Sequence, residues 1–262
     1  MTDGVTDAAL WARLRAASPA RIALGRVGNT LPLDAVLRFQ LDHARARDAV
    51  HAPFDAEALA AALSPLPAIV VASAAPDRAT YLRRPDLGRA LSPAGAARLA
   101  QAVERDPAVA DCDVAIVVGD GLSATGVAAG GVALVRALVV QCAGLRLAPV
   151  VIATGARVAL GDAIGAALRA RAAVMVIGER PGLSVADSLG IYMTYAPRIG
   201  RADSERNCIS NVHANGGLTP EAAAATLGRL LRESLRRGLS GVDLKDSGEA
   251  LPAPFSKTGQ HG

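Results

Sequence analysis

Three short segments that are apolar along their whole length constrain the fold more than any other feature of this sequence. They are Val114–Val118, Leu147–Ala153 and Ala173–Ile177, and a helical pattern follows each of the first two. Apolar strands that are joined by helices are typical of a parallel sheet covered on both faces. The sequence therefore predicts an α/β fold, in which ligands bind outside the carboxyl ends of the parallel strands.

Helical patterns and two further strand patterns fill most of the remaining chain. The clearest helix is Thr219–Arg237, because Thr219 can cap it, Pro220 stands at its first position and Gly238 can end it. We expect other helices at Ala8–Ala17, beyond Pro32, and at Ala56–Leu63, Pro93–Glu104, Val127–Cys142 and Gly161–Arg169, with strands at Ile69–Val71 and Ile191–Tyr195. The predicted organisation is a helical N-terminal region over residues 1–105, an α/β domain over 106–246 and a flexible tail over 247–262.

Composition argues against several classes of function. Aromatic residues make up 3% of the chain, too few for a base-stacking surface, and the arginines behind the net charge of +4 are scattered along helices. The apolar segments are far shorter than the roughly 20 residues of a membrane span, and the acids and arginines near the N-terminus do not form a secretory signal. We therefore expect an intracellular protein with no nucleic-acid partner and no membrane association. Cys112, Cys142 and Cys208 have no CxxC spacing, so neither a disulfide framework nor a zinc site is predicted.

The loop after the first apolar segment partly matches a dinucleotide-binding fingerprint. Gly119, Gly121 and Ala124 have the spacing of that motif, between a predicted strand and a predicted helix. The acid that would bind a ribose is missing, because Val150–Ile152 continues into Ala-Thr-Gly. The same loop is similar to a nucleophile elbow around Ser123, which we interpret as a helix cap because no histidine is placed to serve it.

A glutamate follows the third apolar segment and lies among glycines. Glu179 stands between Gly178 and Arg180, and Pro181 and Gly182 come next. One interpretation is structural, with Glu179 in an ion pair with Arg180 or capping a helix. The other is a binding role, because bare backbone beside a fixed carboxylate suits the close approach of a large ligand with N–H donors, such as amides.

A polar segment, Ser204–Gly217, is predicted to be a loop. We interpret Cys208 in this segment as a small buried residue rather than a reactive thiol, for which Arg206 is the nearest candidate cation. His213 is interpreted as a satisfied polar residue. The sequence thus offers a ligand edge without a complete catalytic set, which indicates a subunit that serves the active site of a partner.

Five blocks of sequence resemble the small (light) subunit family of ethanolamine ammonia-lyase, an adenosylcobalamin-dependent enzyme. The blocks are RIALGRVGNTLPLDAVLRFQLDHARARDAV, TYLRRPDLGR, VVGDGLSATGV, VIGERPGLSVADSLG and RNCISNVHANGGLTPEAAA. They follow one another from about Arg21 to Asp243. The combination of GERPGL with NCISNxHxxG is specific to that family.

The resemblance implies a Rossmann-like α/β domain with a mostly parallel sheet behind a helical region, and a division of labour between two subunits. A large subunit, a (β/α)8 barrel, would bind ethanolamine and carry the catalytic residues, so we expect none in this chain and no activity from it alone. The small subunit would hold adenosylcobalamin against the large one, for the radical deamination of ethanolamine to acetaldehyde and ammonia in ethanolamine catabolism. Six large and six small subunits would assemble, in the cytoplasm or inside a bacterial microcompartment.

The resemblance also implies which residues contact the cobalamin. These contacts fall on Val158 in GARVALGD, Glu179 in GERPGL and Cys208 in RNCISN, and no metal ligand is expected. The segment between Pro197 and Arg206 departs from the family by being shorter, as does the N-terminus. Two alternatives stay open: a nucleotide-binding oxidoreductase, suggested by GDGLSA, and a non-enzymatic interaction or shell-recruitment protein, suggested by the arginine-rich helices.

Overall fold

A six-stranded sheet forms the centre of the part of the chain that the computed structural model describes, residues 7–18, 20–246 and 248. The strands are β1 (Ala68–Ala72), β2 (Val114–Gly119), β3 (Val150–Thr154), β4 (Ala172–Gly178), β5 (Leu189–Tyr195) and β6 (Arg206–Val212). Their order across the sheet is β1-β3-β2-β4-β5-β6. The strands predicted at the three apolar segments are confirmed as β2, β3 and β4.

The sheet is mixed, so the expectation of a mostly parallel, Rossmann-like sheet is not confirmed. Strands β1, β3, β2 and β4 run parallel, whereas β5 is antiparallel to β4 and β6 is antiparallel to β5. The physical reason is the length of the connections. Only residues 179–188 join β4 to β5, and a parallel neighbour needs a crossover of roughly a dozen residues or more.

Strand β6 corrects the prediction of a loop over Ser204–Gly217. Residues Arg206–Val212 pair with β5, and Ile209 and Val212 of this strand are buried. The polar residues between them face outward, which an edge strand tolerates because one of its sides meets solvent. The polar residues of this segment therefore led to the incorrect prediction of a loop.

Helices cover both faces of the sheet. They are α1 (Asp7–Ala16), α2 (Leu33–His51), α3 (Ala56–Ala62), α4 (Arg78–Arg83), α5 (Pro93–Arg105), α6 (Ala124–Gln141), α7 (Leu160–Ala167) and α8 (Pro220–Arg237). The end signals predicted for α8 are confirmed. Thr219 Oγ1 accepts a hydrogen bond from the Ala222 amide at 3.2 Å, and Gly238 ends the helix with φ 72° in the left-handed region.

Alternate side chains of the strands fill two cores, one on each face of the sheet. Ile116 and Val118 of β2 pack in the core that includes α3, α6 and α8. Val117 of the same strand packs in the core that includes α5 and α7. Every residue of β2 and β4 is buried, which explains why these segments are apolar throughout.

Within the described residues, α6 is the helix long and apolar enough to cross a membrane by length and composition, with a mean hydropathy of 1.5. Its side chains Val127, Leu134, Val135 and Leu138 are fully buried against the sheet and α8. The core helix of a globular domain meets the same criterion, so this finding gives no support to a membrane role.

The two N-terminal helices expose most of their apolar side chains. We call residues 7–18 and 20–51 the N-terminal arm. In α2, Ala46 and Ala49 are the buried residues. Of the large apolar side chains that are exposed in the described part of the chain, nine belong to this arm: Leu10, Trp11, Leu14, Val27, Leu31, Leu33, Leu37, Phe39 and Leu41.

The division of the chain into three parts stays a prediction. Strand β1 precedes the expected boundary at residue 105 and pairs with β3 over its whole length. The predicted flexible tail, residues 247–262, lies outside the described residues except for Gly248.

Candidate functional site

A hollow of about 420 Å³ opens at the carboxyl ends of β2 and β4, beside the loop that follows β3. This is the edge where ligands were expected from the parallel strands. The residues that line it come from five segments of the chain: Tyr81, Gly121, Leu122, Arg157, Val158, Ile177, Gly178, Glu179, Arg180 and Tyr192.

Two glycines allow the loops after β2 and β4 to meet at the floor of the hollow. A side chain on Gly121 would overlap the carbonyl oxygen of Gly178, and one on Gly178 would overlap the carbonyl oxygen of Ser123. Gly121 also has φ +55°, in the left-handed region. The amide of Leu122 donates a hydrogen bond to the Gly178 carbonyl at 3.0 Å, so the two loops are held together.

Ser123 caps a helix, as predicted. Its hydroxyl oxygen accepts from the Gly126 amide at 3.1 Å and its O–H donates to the Ala186 carbonyl at 2.7 Å. The side chain is fully buried. A hydroxyl in this position is a structural link between α6 and the loop before β5 and is not placed to attack a substrate.

A buried carboxylate that the sequence reasoning missed lies directly behind the floor. Asp120 accepts a hydrogen bond from the Ala156 amide at 2.8 Å and is paired with Arg78 at 3.3 Å. Burial raises the pKa of Asp120, while the Ala156 amide and Arg78 oppose that shift. The position of Asp120 directly after β2 could have marked it as part of the site, because a buried acid at this edge of the sheet needs a partner. Nothing in the sequence identified that partner as Arg78.

Two guanidinium groups lie over one aromatic ring at the side of the hollow. The Cζ atoms of Arg78 and Arg157 are 4.7 Å and 4.3 Å from the centroid of the Tyr81 ring. The Tyr81 hydroxyl donates to the Ala156 carbonyl at 3.1 Å. Burial raises the pKa of Tyr81 to about 12, so the hydroxyl remains a donor at neutral pH.

Glu179 lies in the hollow, and its carboxylate is fixed from one side. Oε2 accepts a hydrogen bond from Ser188 Oγ at 2.6 Å and another from the Asn211 amide at 3.3 Å. The structural interpretation from the sequence is wrong in its partner: among the described residues Glu179 is bonded to Ser188 and Asn211, with no ion pair to Arg180 and no helix beginning at this position. Oε1 lies against Gly190, where a side chain would approach it to 2.9 Å.

Val158 shares the hollow with Glu179, whereas Cys208 lies beside it. Cys208 is on β6, paired with Tyr192 of β5, and it is exposed instead of buried as interpreted from the sequence. Partial desolvation raises the pKa of its thiol, the Tyr192 hydroxyl lowers it and the Glu179 charge raises it again. Arg206 provides no cation for this thiol, because it is buried and paired with Asp162.

His213 is a satisfied polar residue, as interpreted from the sequence. Its Nδ1 accepts a hydrogen bond from the Asn215 amide at 3.2 Å, and its ring lies against Gly217. It lines a separate hollow of about 510 Å³ between α6 and the start of α8. Among the described residues, no group of three or more His, Cys, Asp or Glu side chains is arranged to hold a metal ion.

The fold and the hollow define an α/β protein with a ligand-sized opening at the carboxyl edge of its parallel strands. The family model for the ethanolamine ammonia-lyase light chain (EutC) matches residues 8–245, and the chain belongs to this family. The resemblance seen in the five sequence blocks is thereby confirmed.

Three relatives are all named ethanolamine ammonia-lyase small subunit. The one from Bradyrhizobium diazoefficiens is 54% identical over 238 residues, which cover 89% of each chain. The one from Xanthomonas campestris pv. campestris is 51% identical over 245 residues, covering 91% of this chain and 88% of the relative. The one from Rhodopseudomonas palustris is 52% identical over 237 residues, covering 89% and 88%.

Proposed function

We propose that this chain is the cofactor-holding small subunit of an adenosylcobalamin-dependent ethanolamine ammonia-lyase. In a complex with a large catalytic subunit it would serve the deamination of ethanolamine to acetaldehyde and ammonia. The relatives named as small subunits support the enzyme and the existence of a larger partner. The observation that carries the cofactor role is the hollow, which places Val158 and Glu179 at one sheet edge.

The residues of the hollow fit an amide-bearing macrocycle. Leu122, Val158, Ile177 and Tyr192 offer apolar contact, while the glycine floor permits close approach of a bulky ligand. A corrin is too large to enter a space of about 420 Å³ and would instead cover the opening, with its peripheral amides reaching inward. The large subunit would then contact the part of the cofactor that this chain does not cover.

Glu179 is the polar group best placed to hold such a ligand. Ser188 and Asn211 occupy Oε2 and fix the carboxylate, while Oε1 accepts no hydrogen bond within the described residues. A fixed carboxylate oxygen is a strong acceptor for an amide N–H. Val158 would pack against the macrocycle, and Cys208 would contact it at the edge of the opening.

Adenosylcobalamin supplies the radical chemistry of the deamination when it is bound. This chain would position the cofactor and exclude water from it. The buried pair of Asp120 and Arg78 braces the floor, since Arg78 also donates to the carbonyl of Gly121 at 2.7 Å and to that of Val50 at 2.7 Å. The hollow is thus held in shape before a ligand arrives.

The N-terminal arm is proposed to dock on the large subunit. Its nine exposed apolar side chains would be unfavourable in water, and the arm contacts a loop that leaves the hollow. Arg21 connects the two, because it pairs with Asp42 of α2 at 2.6 Å and donates to the carbonyl of Leu183, in the loop after Glu179, at 3.3 Å. A partner that covers the hollow would therefore meet the arm as well.

Reconstitution tests this function. Purified small subunit, a cognate large subunit and adenosylcobalamin should release ammonia from ethanolamine only when all three are present. Equal turnover by the large subunit and cofactor without this chain would contradict the proposal.

A charge substitution tests the docking surface separately. Leu37→Asp in the arm should weaken association with the large subunit, measured by analytical ultracentrifugation. The matched control is Ile199→Asp, which changes an apolar side chain that is 82% exposed outside the arm. Equal weakening by both substitutions, or by neither, would contradict a docking role for the arm.

A further inference from the structure

Arg157 has no acidic partner although it lines the hollow. The two other arginines with unpartnered buried nitrogens, Arg78 and Arg206, are paired with Asp120 and Asp162. In the described part of the chain Arg157 makes no ion pair, and its buried Nε atom has no hydrogen-bond partner. Within the described residues, the positive charge of Arg157 is therefore left without a counter-charge at a residue that lines the hollow.

The guanidinium of Arg157 is held in place by its surroundings. Its Cζ stacks 4.3 Å from the centre of the Tyr81 ring, and Nη2 donates weakly to the Tyr81 carbonyl at 3.4 Å. The backbone amide of Arg157 donates to the Gly88 carbonyl at 2.8 Å. A side chain on Gly88 would come within 2.8 Å of Arg157 Cγ, so the absence of one makes room for the arginine stem.

The local charge is unbalanced around Tyr81. Arg78 and Arg157 bring two positive charges there, and Asp120 brings one negative charge, which leaves a surplus of one positive charge. This corner of the hollow is therefore prepared for an oxygen that accepts hydrogen bonds.

The same hollow also contains the carboxylate of Glu179, whose hydrogen-bond partners within the described residues are Ser188 and Asn211. The opening thus presents a fixed acceptor and a fixed donor at separate places. A primary amide offers two N–H donors and one carbonyl acceptor, and a ligand fringed with such groups can satisfy both.

We propose that Arg157 binds an oxygen acceptor of the ligand, either an amide carbonyl or a phosphate oxygen, while Glu179 accepts from an amide N–H. An Nη group of the guanidinium would donate to that oxygen. The inference rests on the proposed function, because both sources of the oxygen belong to cobalamin. It assigns Arg157 as a binding residue that determines which ligands the hollow accepts.

Binding of cyanocobalamin to the complex of large and small subunits tests this role without turnover. Arg157→Met should weaken the Kd by about tenfold to a hundredfold, since it removes hydrogen bonds from a charged donor. The matched control is Arg236→Met, at an exposed arginine of α8 that does not line the hollow, which should change the Kd by less than about twofold. If Arg157→Met does not fold, Arg157→Gln should still weaken binding.

Cobinamide distinguishes the two sources, because it keeps the peripheral amides and lacks the nucleotide phosphate. A loss of affinity that persists with cobinamide assigns the amide carbonyl, and one that disappears assigns the phosphate. An unchanged Kd in a folded Arg157 variant, or an equal loss in Arg236→Met, would overturn the inference and leave the proposed function intact. If the unsubstituted complex does not bind cyanocobalamin, the proposed function fails and the inference falls with it.

Discussion

The hydroxyl of Ser188 donates a 2.6 Å hydrogen bond to the carboxylate of Glu179, and the backbone of the two residues is joined by a second bond of 3.0 Å. This contact ties the end of β4 to the start of β5 and fixes the acid at the edge of the hollow. A carboxylate that is already oriented loses little freedom when a ligand binds.

Replacement of Glu179 should weaken cobalamin binding and leave the substrate site unaffected. For Glu179→Ala we expect the Kd of the complex for cyanocobalamin to rise by a factor corresponding to about 1–3 kcal/mol, because one hydrogen-bond acceptor is lost. The KM for ethanolamine should stay nearly constant. Calorimetric unfolding of the variant serves as the control, since equal loss of stability with an unchanged cobalamin Kd would favour a purely structural acid.

Gly121 should tolerate no side chain. Gly121→Ala places a methyl group against the Gly178 carbonyl in a left-handed conformation, so we expect a loss of about 2–4 kcal/mol in the free energy of unfolding, from strain and overlap together. Gly144→Ala is the control for backbone strain alone, because Gly144 has φ +85° but no atom lies within 4 Å of the position of the added methyl group. That control should lose only about 1–2 kcal/mol. Urea unfolding measures the free energy of unfolding of both variants. Equal losses would show that the close contact between the Gly121 and Gly178 loops does not contribute.

The buried ion pair of Asp162 and Arg206 should be a strong link between α7 and β6. Their side chains are 3% and 2% exposed, so Asp162→Ala removes the buried partner of the Arg206 charge and should cost about 3–5 kcal/mol in the free energy of unfolding. Asp203 pairs with the same arginine at 2.7 Å but is 96% exposed, and Asp203→Ala should cost less than about 1 kcal/mol. A similar cost for the two substitutions, measured by urea unfolding, would contradict this view.

Acid should destabilise the fold through surface carboxylates that are bound to arginines. The Arg169 guanidinium lowers the pKa of Asp111 below its ordinary value of 3.8. A folded-state pKa below that of the unfolded chain gives stability that is complete above about pH 4 and is lost as the pH falls through the folded-state value. The free energy of unfolding should fall less steeply between about pH 4 and pH 2 in Asp111→Asn, since that variant lacks this titration. An unchanged slope would contradict the assignment to Asp111.

The sequence allowed the core of the fold and the location of the site to be predicted, because both follow from local patterns. Unbroken apolar segments identified β2 and β4, and Thr219 with Gly238 identified the ends of α8. Ligands bind at the carboxyl ends of parallel strands, so the position of the hollow could be predicted, although the residues that line it could not.

The remainder depends on contacts between distant parts of the chain. The antiparallel direction of β5 follows from the short connection after β4, but the polar β6 gave no local signal. Arg78 and Asp120 are 42 positions apart, and nothing near either residue indicates the other. Tyr81 and Gly88 likewise contact Arg157 although they are far from it in the sequence.

The most direct measurement of the central claim is the Kd for cyanocobalamin of the large subunit alone and of its complex with this chain. If the hollow holds the cofactor, the complex should bind at least about tenfold more tightly than the large subunit. Glu179→Ala in the small subunit should remove most of that gain. Equal affinity with and without the small subunit would contradict a cofactor-holding role for this chain.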